Sequence, residues 1–371
     1  MSRVRSYSAP VLFVSLRDLQ WRLRRFIIGV LATGLVFAIA LLISGINASF
    51  QNEAKRAVNS FHADQWLVSK DSLGAFNTAT PLDNGPGIAA EVAREPGVRA
   101  ADPVLIFPFT VTKPSVRDLN IIGVVPKGVG APVVTEGRAL ARRGEMVADK
   151  SAGFKIGEAL RVHGITLHVV GRTDGISYNA GTPTVFVTFD DAQHLFFPGG
   201  KKGDLVREFT KGEASAIVVR GNVTRPPADL GVRTNEAILT DLRRPLKKAT
   251  ETISFLRILL WIIAAGIIGS VLYLQAIERT RDFAVFKATG VSSRTLLFGI
   301  TLQAILLAAC AALAALAIAW ALGPTMTLRI EVPPSAYLAL PVVAIAVGLI
   351  ASLFGLRRAV TVDPAVAFGG A

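Results

Sequence analysis

Residues that carry out chemistry are scarce in this 371-residue chain. Its single cysteine, Cys310, leaves no partner for an intrachain disulfide. Four histidines, His62, His163, His168 and His194, lack the spacing of a metal-binding motif such as H-E-x-x-H. Neither a G-x-S-x-G nucleophile turn nor a G-x-x-x-x-G-K-S/T phosphate loop occurs. The sequence therefore predicts a protein that is not an enzyme, with no catalytic, metal or cofactor-binding residues, and any ATP hydrolysis belongs to another polypeptide.

Charge is also sparse, since only 18% of the residues are charged while 51% are hydrophobic. Four stretches of about 20 residues carry almost no charge, and about 20 apolar residues suffice for a helix to cross a hydrocarbon core of about 30 Å. We predict transmembrane helices at 26–46, 258–276, 295–322 and 337–356. A cleaved signal peptide is the alternative interpretation of the first stretch, but its apolar core is too long.

The basic residues predict how these helices are oriented. The segments 1–25, 277–294 and 357–371 together hold 12 basic and four acidic residues. Short positive segments stay in the cytoplasm, so we expect both termini to be cytoplasmic in a multi-pass plasma (inner) membrane protein, with the large domain outside. Residues 47–252 have a basic surplus of only four, which gives no reason to expect nucleic-acid binding.

Helical periodicity continues beyond two of the spans. Apolar residues recur at spacings of three or four over 47–64 and over 238–257, which predicts two amphipathic helices that pack against each other as a stalk. Pro245 predicts a kink or a helix start in the second of them. Two independent surface helices are the alternative. The predicted stalk seam consists of Phe50, Ala54, Ala57, Phe61, Leu239, Leu242, Leu246, Ala249 and Ile253.

The region between the stalk helices has a different pattern. Runs such as 98–113, 117–126, 158–175 and 182–196 alternate β-branched or aromatic residues with turn residues, as strands do. The predicted fold class is therefore a membrane α-helical protein of four transmembrane helices with an extracytoplasmic α+β domain on a helical stalk. The predicted order is a cytoplasmic amphipathic helix 1–25, span 26–46, stalk helix 47–64, α+β domain 65–237, stalk helix 238–257, span 258–276, cytoplasmic helix 277–294, span 295–322, outer loop 323–336, span 337–356 and cytoplasmic tail 357–371.

The cytoplasmic segment between the second and third spans is short, charged and amphipathic. It reads ERTRDFAVFKATGVSSRTLL from residue 278, with Gly290 placed to end a helix and Ser292 or Ser293 placed to begin the next. A helix of this kind could bind a partner protein or rest on lipid.

This segment resembles the cytoplasmic loop of FtsX/MacB-type (type VII) ABC transporter permeases, which carries an E-R-T/K-R-E-I-G-x-L-K-A-x-G-A motif. LRRAVTVDPAVAFGG, from residue 356, is similar to that family's closing motif. Residues 135–175 resemble its MacB-like core-domain run. The resemblance covers nearly the whole chain and extends to actinobacterial, including mycobacterial, permeases labelled as glutamine-transport components.

The resemblance implies a permease dimer, homo- or heterodimeric, that lies among membrane lipids and binds two copies of a cytoplasmic ABC ATPase subunit. That partner would bind ATP and Mg²⁺, and the permease would transmit its movement to the outer domain to export or extract an amphiphilic or envelope substrate. The alternatives are an FtsX-like regulator of a cell-wall hydrolase, which would bind an extracytoplasmic protein, an amino-acid (glutamine) permease, and a membrane sensor without an ATPase. The residues implied in ATPase coupling are Glu278, Arg279, Arg281, Asp282, Phe283, Phe286, Lys287 and Gly290.

Overall fold

The computed structural model describes residues 23–76, 80–112, 116–196, 212–278, 293–323 and 330–360. These residues fall into two compact units. The membrane unit contains the described parts of Met1–Ser49 and Lys248–Ala371, and the sheet unit is Phe50–Lys247. The sheet unit thus includes residues 50–64 and 238–247, which the sequence assigns to the two stalk helices.

The helices and strands follow one another in a simple order. In chain order they are α1 (Leu23–Asn59), β1 (Gln65–Ser69), α2 (Gly85–Val92), β2 (Val98–Val111), β3 (Arg117–Val124), β4 (Glu136–Gly137), β5 (Glu145–Asp149), β6 (Ala159–Val162), β7 (Ile165–Thr173), β8 (Ser177–Tyr178), β9 (Thr182–Thr188), α3 (Phe189–Phe196), β10 (Ala216–Gly221), β11 (Leu230–Thr234), α4 (Asn235–Arg243), α5 (Lys247–Glu278), α6 (Ser293–Leu322) and α7 (Pro334–Val360).

The prediction of four apolar helices long enough to cross a membrane is confirmed. Within the described ranges, four are long and apolar enough: Phe26–Asn59, Asn235–Glu278, Phe298–Leu322 and Pro334–Ser352. A 3-10 turn at Arg244–Leu246 separates α4 from α5, which confirms the break expected at Pro245. Most of the predicted segments 1–25, 277–294 and 357–371 lie outside the described residues.

The sheet unit is built on a mixed sheet of 11 strands among the residues described. Its main path runs β11-β1-β10-β2-β3-β9-β5-β7-β4, with β6 beside β7 and β8 beside β9. The pairs β3–β9 and β5–β7 are parallel, and the other pairs are antiparallel. Strands at 98–111, 117–124, 159–173 and 182–188 confirm the predicted strand runs and the α+β class.

Helices cover this sheet on both faces. Along β2, Leu105 and Phe107 belong to one buried cluster, while Val104 and Ile106 belong to the other. Successive strand residues point to opposite faces, so alternate apolar residues build two cores. Helices α2 and α3 cover the first core. The last turns of α1, together with α4, cover the second.

Small residues bring the helices of the membrane unit close together. A Cβ atom added to Gly34 in α1 would lie 3.0 Å from the Cβ of Ala314 in α6. One added to Gly348 in α7 would lie 3.2 Å from the carbonyl oxygen of Ala304. Such contacts let helices pack where lipid supplies no hydrophobic drive. Gly266 of α5 differs, because no described atom lies within 4 Å of its added Cβ.

Candidate functional site

The end of α1 is buried in the second core of the sheet unit. Ala57, in the last turn of α1, and Phe61, two residues beyond it, are fully buried there. The ring of Phe61 lies 4.8 Å from that of Trp66 on β1 and 6.1 Å from that of Phe76, measured between centroids, and both pairs meet edge to face. Aromatic pairs in this geometry stabilise the folded state by more than the burial of their apolar area alone would. The chain that follows α1 directly is therefore held against the sheet by packed aromatic rings.

Two polar side chains in the last turns of α1 form hydrogen bonds to the segment 175–181, on either side of β8. Oε1 of Glu53 accepts a hydrogen bond from the Gly181 amide at 2.8 Å, and Nε of Arg56 donates to the Gly175 carbonyl at 2.9 Å. Asn179, Ala180 and Gly181 all have positive φ angles, of 57°, 60° and 89°. Asn and Gly adopt left-handed backbone readily, but Ala180 is strained there, so the contact from Glu53 to Gly181 helps to hold a turn that is strained at one residue.

The environment of Glu53 is unusual for a carboxyl group. It is only 5% exposed. Burial raises its pKa above the ordinary 4.5, and hydrogen bonds from Ser177 and Gly181 and the charge of Arg56 oppose that shift. The ionised form of Glu53 is therefore disfavoured in the folded sheet unit.

Helix α4 contacts the residues around Phe61 and Trp66 through its first residue, Asn235. Its Oδ1 accepts from Nε1 of Trp66 at 2.7 Å, and its Nδ2 donates to the Ala63 carbonyl at 2.9 Å. Along α4, Nη2 of Arg243 donates to the Gln51 carbonyl at 2.8 Å. The chain thus enters and leaves the sheet unit through one bonded cluster. We call Glu53, Arg56, Phe61, Trp66 and Asn235 the helix anchor.

A second polar cluster lies on β5. The buried Glu145 accepts two hydrogen bonds from Arg138, at 2.9 and 2.6 Å, and one from Nε of Arg142 at 2.9 Å. Its pKa falls to about 2, chiefly through the hydrogen bonds from Arg138. This cluster holds the loop before β5 in place, because both carboxylate oxygens of Glu145 accept hydrogen bonds from arginines of that loop. Its role is therefore structural.

The predicted coupling residues fall at the edge of what the structure describes. Glu278 is the last residue of α5 and is exposed. The others lie outside the described residues: Arg279, Arg281, Asp282, Phe283, Phe286, Lys287 and Gly290.

The predicted stalk seam is only partly brought together. Ala54, Ala57, Phe61 and Leu242 are buried in one cluster with residues of the sheet, and Leu239 packs against it. Phe50, Leu246 and Ile253 are half-buried, and Ala249 is exposed. The part of the seam nearest the sheet therefore belongs to the sheet's own core.

Sequence reasoning missed Glu53, Arg56, Trp66 and Asn235. Glu53 offered a signal, because it lies three residues after Phe50 and four before Ala57, on the apolar side of the helix, where a charged residue is out of place. The other three have no such signal, since their partners are distant in the sequence.

Two of the four histidines, His163 and His194, have backbone carbonyl groups as partners. Nδ1 of His163 lies 3.3 Å from the Leu195 carbonyl, and Nε2 of His194 lies 3.2 Å from the His163 carbonyl. No group of three or more His, Cys, Asp or Glu side chains that could hold a metal occurs in the part of the chain that the structure describes.

Comparison with known proteins gives the family. Residues 254–364 match the model of the FtsX-like permease C-terminal region. An uncharacterised ABC transporter permease of Mycobacterium bovis is 39% identical over 361 residues, covering 97% of this chain and 100% of the relative. One from Mycobacterium tuberculosis is 39% identical over 362 residues, with the same coverage. Neither name states a substrate, so the glutamine label remains a prediction.

Two solved structures are similar to part of the chain. The periplasmic region of MacB from Actinobacillus actinomycetemcomitans is 11% identical and covers 47% of this chain and 89% of its own, with a TM-score of 0.34. The extracellular domain of the transporter YknZ from Gram-positive bacteria is 13% identical and covers 43% and 83%, with a TM-score of 0.31. Both scores are below 0.5, so the assignment depends on the full-length relatives and on the matching permease region. This chain belongs to the FtsX/MacB-type family of ABC transporter permeases.

Proposed function

We propose that this permease transmits the movement of separate, cytoplasmic ATP-hydrolysing subunits to its sheet unit, which lies outside the membrane, and so exports or extracts an amphiphilic or envelope substrate. The observation that carries the proposal is the helix anchor. Helix α1 is unbroken from Leu23 to Asn59, and its last turns are hydrogen-bonded within the sheet unit through Glu53 and Arg56. Phe61, two residues beyond the helix, is buried in the core beside them.

The length of α1 supports a mechanical role. At 1.5 Å per residue, its 37 residues measure about 55 Å, which exceeds the thickness of a bilayer including its headgroups. The anchor combines fully buried rings with two hydrogen bonds to the segment 175–181, which contains β8. A shift of α1 would therefore move that segment with it.

The composition of the spans supports transmission over conduction. In the described part of the membrane unit, the buried polar side chains are Thr33 and Ser352, and both are uncharged. A hydrophilic pathway or a proton relay is normally built from ionisable groups that face the interior of a bundle. These spans are better suited to packing against one another than to passing a polar solute.

The coupling step is assigned to the cytoplasmic segment 278–290. In this proposal each of two permease copies presents that segment to one ATPase subunit, which binds ATP and Mg²⁺. Phe283 and Phe286 supply apolar contact, and Arg279, Arg281 and Lys287 supply charge. The resemblance of this segment to the family's coupling loop and the family membership of the chain support this assignment.

Co-purification tests the coupling. The full-length permease is co-expressed with a candidate ABC ATPase subunit that the wild type retains, and variants Phe286→Asp and Arg281→Glu are compared with Arg161→Glu. Arg161 is an exposed arginine on β6 and serves as the matched control. We expect the two segment variants to lose the ATPase and the control to retain it, because Phe286→Asp replaces apolar contact with a charge and Arg281→Glu reverses a charge, and mismatched charges at an interface cost several kcal/mol. Equal binding by all three variants would contradict the proposal.

A further inference from the structure

Two fully buried polar side chains of the sheet unit each carry an oxygen without a hydrogen-bonding partner. Asn120 on β3 and Thr184 on β9 are both 0% exposed. Neither Oδ1 of Asn120 nor Oγ1 of Thr184 forms a hydrogen bond with any described residue. Nearly all buried polar atoms in folded proteins are paired with protein or with ordered water, because an unpaired one costs free energy. A partner other than a protein atom is therefore expected here.

The two side chains lie directly opposite each other. Asn120 is paired with Thr184 in the parallel ladder of β3 and β9. The adjacent residues Leu119, Ile121 and Val185 belong to the first core, so Asn120 and Thr184 both point to the other face, that of the second core. Neighbouring strands lie about 4.8 Å apart. Two oxygens joined through one water, by hydrogen bonds of about 2.8 Å each, lie up to about 5.6 Å apart. The strand spacing therefore suits a bridge of one molecule.

The other half of the Asn120 carboxamide is fully used. Its Nδ2 donates to the Tyr178 carbonyl at 3.1 Å and to the Thr182 carbonyl at 2.9 Å. These two residues flank the turn 179–181, to which Glu53 of the helix anchor is hydrogen-bonded. Only Oδ1 is left to bond, and an amide oxygen is an acceptor. Its partner must therefore be a donor.

A threonine in a strand has few ways to satisfy its hydroxyl group. In a helix the hydroxyl can rotate and donate to the carbonyl four residues earlier. Thr33 of α1, which is also fully buried and has no described partner for Oγ1, has that option. Thr184 has no such carbonyl, and its own amide donates to the Ile176 carbonyl at 3.3 Å. Its hydroxyl therefore depends on a neighbouring strand or on a bound molecule.

We infer that one water molecule binds between Asn120 and Thr184 as a structural part of the sheet unit. The water donates to Oδ1 of Asn120 and shares a hydrogen bond with Oγ1 of Thr184. The Thr182 carbonyl has a second lone pair and is available as a third partner. By bonding Oδ1, the water orients the carboxamide so that Nδ2 faces the turn 179–181. It therefore supports the turn that α1 contacts.

This inference goes beyond the proposed function and does not depend on it, because Asn120 and Thr184 both lie within the sheet unit. A permease that binds no ATPase would still hold the water. The two proposals therefore fail separately.

A density map of the full-length protein that resolves ordered waters tests the site directly. We expect a single peak within hydrogen-bonding distance of both Oδ1 of Asn120 and Oγ1 of Thr184. The absence of a peak would overturn the inference, whether or not the two oxygens bond each other directly. A peak surrounded by six or more oxygen atoms would also overturn it, because such a site would hold a metal cation.

Thr184→Val tests the site by the sign of its effect, since valine has the shape of threonine without the hydroxyl group. With a water bound, the variant should lower the midpoint of thermal unfolding of the full-length protein by about 2–4 °C, because the water loses a partner. Removal of an unpaired hydroxyl should raise the midpoint instead, and that result would contradict the bridge.

Thr33→Val is the matched control, because it makes the same change at a fully buried threonine of the membrane unit. Its midpoint should stay unchanged or rise. An equal fall in both variants would show that the loss of any buried hydroxyl costs stability, and would count against the bridge.

A double variant separates the bridge from the other bonds of Asn120. Asn120→Ala loses the bonds to the turn as well, so its own loss of stability is not diagnostic. In its background Thr184→Val should lower the midpoint by less than it does in the wild type, because the water has already lost one partner. Additive effects would overturn the inference. If Asn120→Ala does not fold, the density map and the sign of the Thr184→Val effect decide the matter.

Discussion

At the scale of single residues, Glu53 is a carboxyl group that is both buried and used as a hydrogen-bond acceptor. Its carboxyl group is buried with α1 against the sheet, which disfavours ionisation, yet it holds the Gly181 amide as an acceptor. A glutamine could accept the same hydrogen bond without a charge. The position therefore couples the stability of the anchor to pH.

Glu53→Gln is predicted to alter the pH dependence of stability. Because the folded pKa lies above the ordinary 4.5, the folded state binds the proton more tightly, and stability from this group is present below 4.5 and lost as the pH rises through the raised value. We expect the variant to lack that loss, so its advantage over the wild type should grow with rising pH. Thermal unfolding of the full-length protein between pH 4 and pH 8 measures this.

Glu236→Gln is the control for this measurement, since Glu236 is an exposed glutamate in the first turn of α4. Its unfolding curve should run parallel to that of the wild type. A wild type that gains stability relative to Glu53→Gln as the pH rises would show that the sign is wrong.

At the scale of elements, the packing of α1 against α6 depends on glycine. A Cβ atom at Gly34 would lie 3.0 Å from the Ala314 side chain and 3.1 Å from the Ala311 carbonyl oxygen, which leaves no room for a larger residue without separating the helices. Gly266 on α5 has no such neighbour among the described residues. The two glycines look alike in the sequence and differ entirely in the fold.

Gly34→Val is predicted to destabilise the membrane unit by about 1–3 kcal/mol, the usual cost of overpacking. Gly266→Val, which makes the same chemical change on a face open within this chain, should leave stability nearly unchanged. The midpoint of thermal unfolding of the full-length protein in detergent measures both. Equal losses in the two variants would mean that crowding at Gly34 is not what limits the packing.

Some helices and strands could be predicted from the sequence, and others could not. The strands at 98–111 and 182–188 were predictable because alternate residues enter opposite cores, and the break at Pro245 followed from proline chemistry. The burial of Phe61 beside Trp66 and Phe76 was not predictable, since it depends on how β1 and α1 meet in three dimensions. Likewise, an apolar helix with no polar stripe does not show which of its glycines faces a neighbour.

At the scale of the whole molecule, the proposed mechanism requires the sheet unit and the cytoplasmic segment 278–290 to lie on opposite sides of the membrane. The basic residues of the short segments predict this orientation, and the four helices of the described ranges that are long and apolar enough to cross a membrane allow it. A direct test must place one probe in each region.

Cysteine labelling provides that test in a Cys310→Ala background, which removes the one native thiol. Val116→Cys, at a side chain 73% exposed in the sheet unit, should react with a membrane-impermeant maleimide in intact spheroplasts. Phe283→Cys should react only after the membrane is permeabilised. The reverse pattern would exclude the proposed direction of transmission, whatever the ATPase does.

The pairing of β1 with β11 has a consequence for how such proteins change over time. Gln65, at the start of the first strand, lies opposite Thr234, at the end of the last, and backbones paired in this way are about 5 Å apart. Excising everything between them would leave a gap that one or two residues could close. A single recombination event could thus exchange one sheet module for another while the long apolar helices stay as they are.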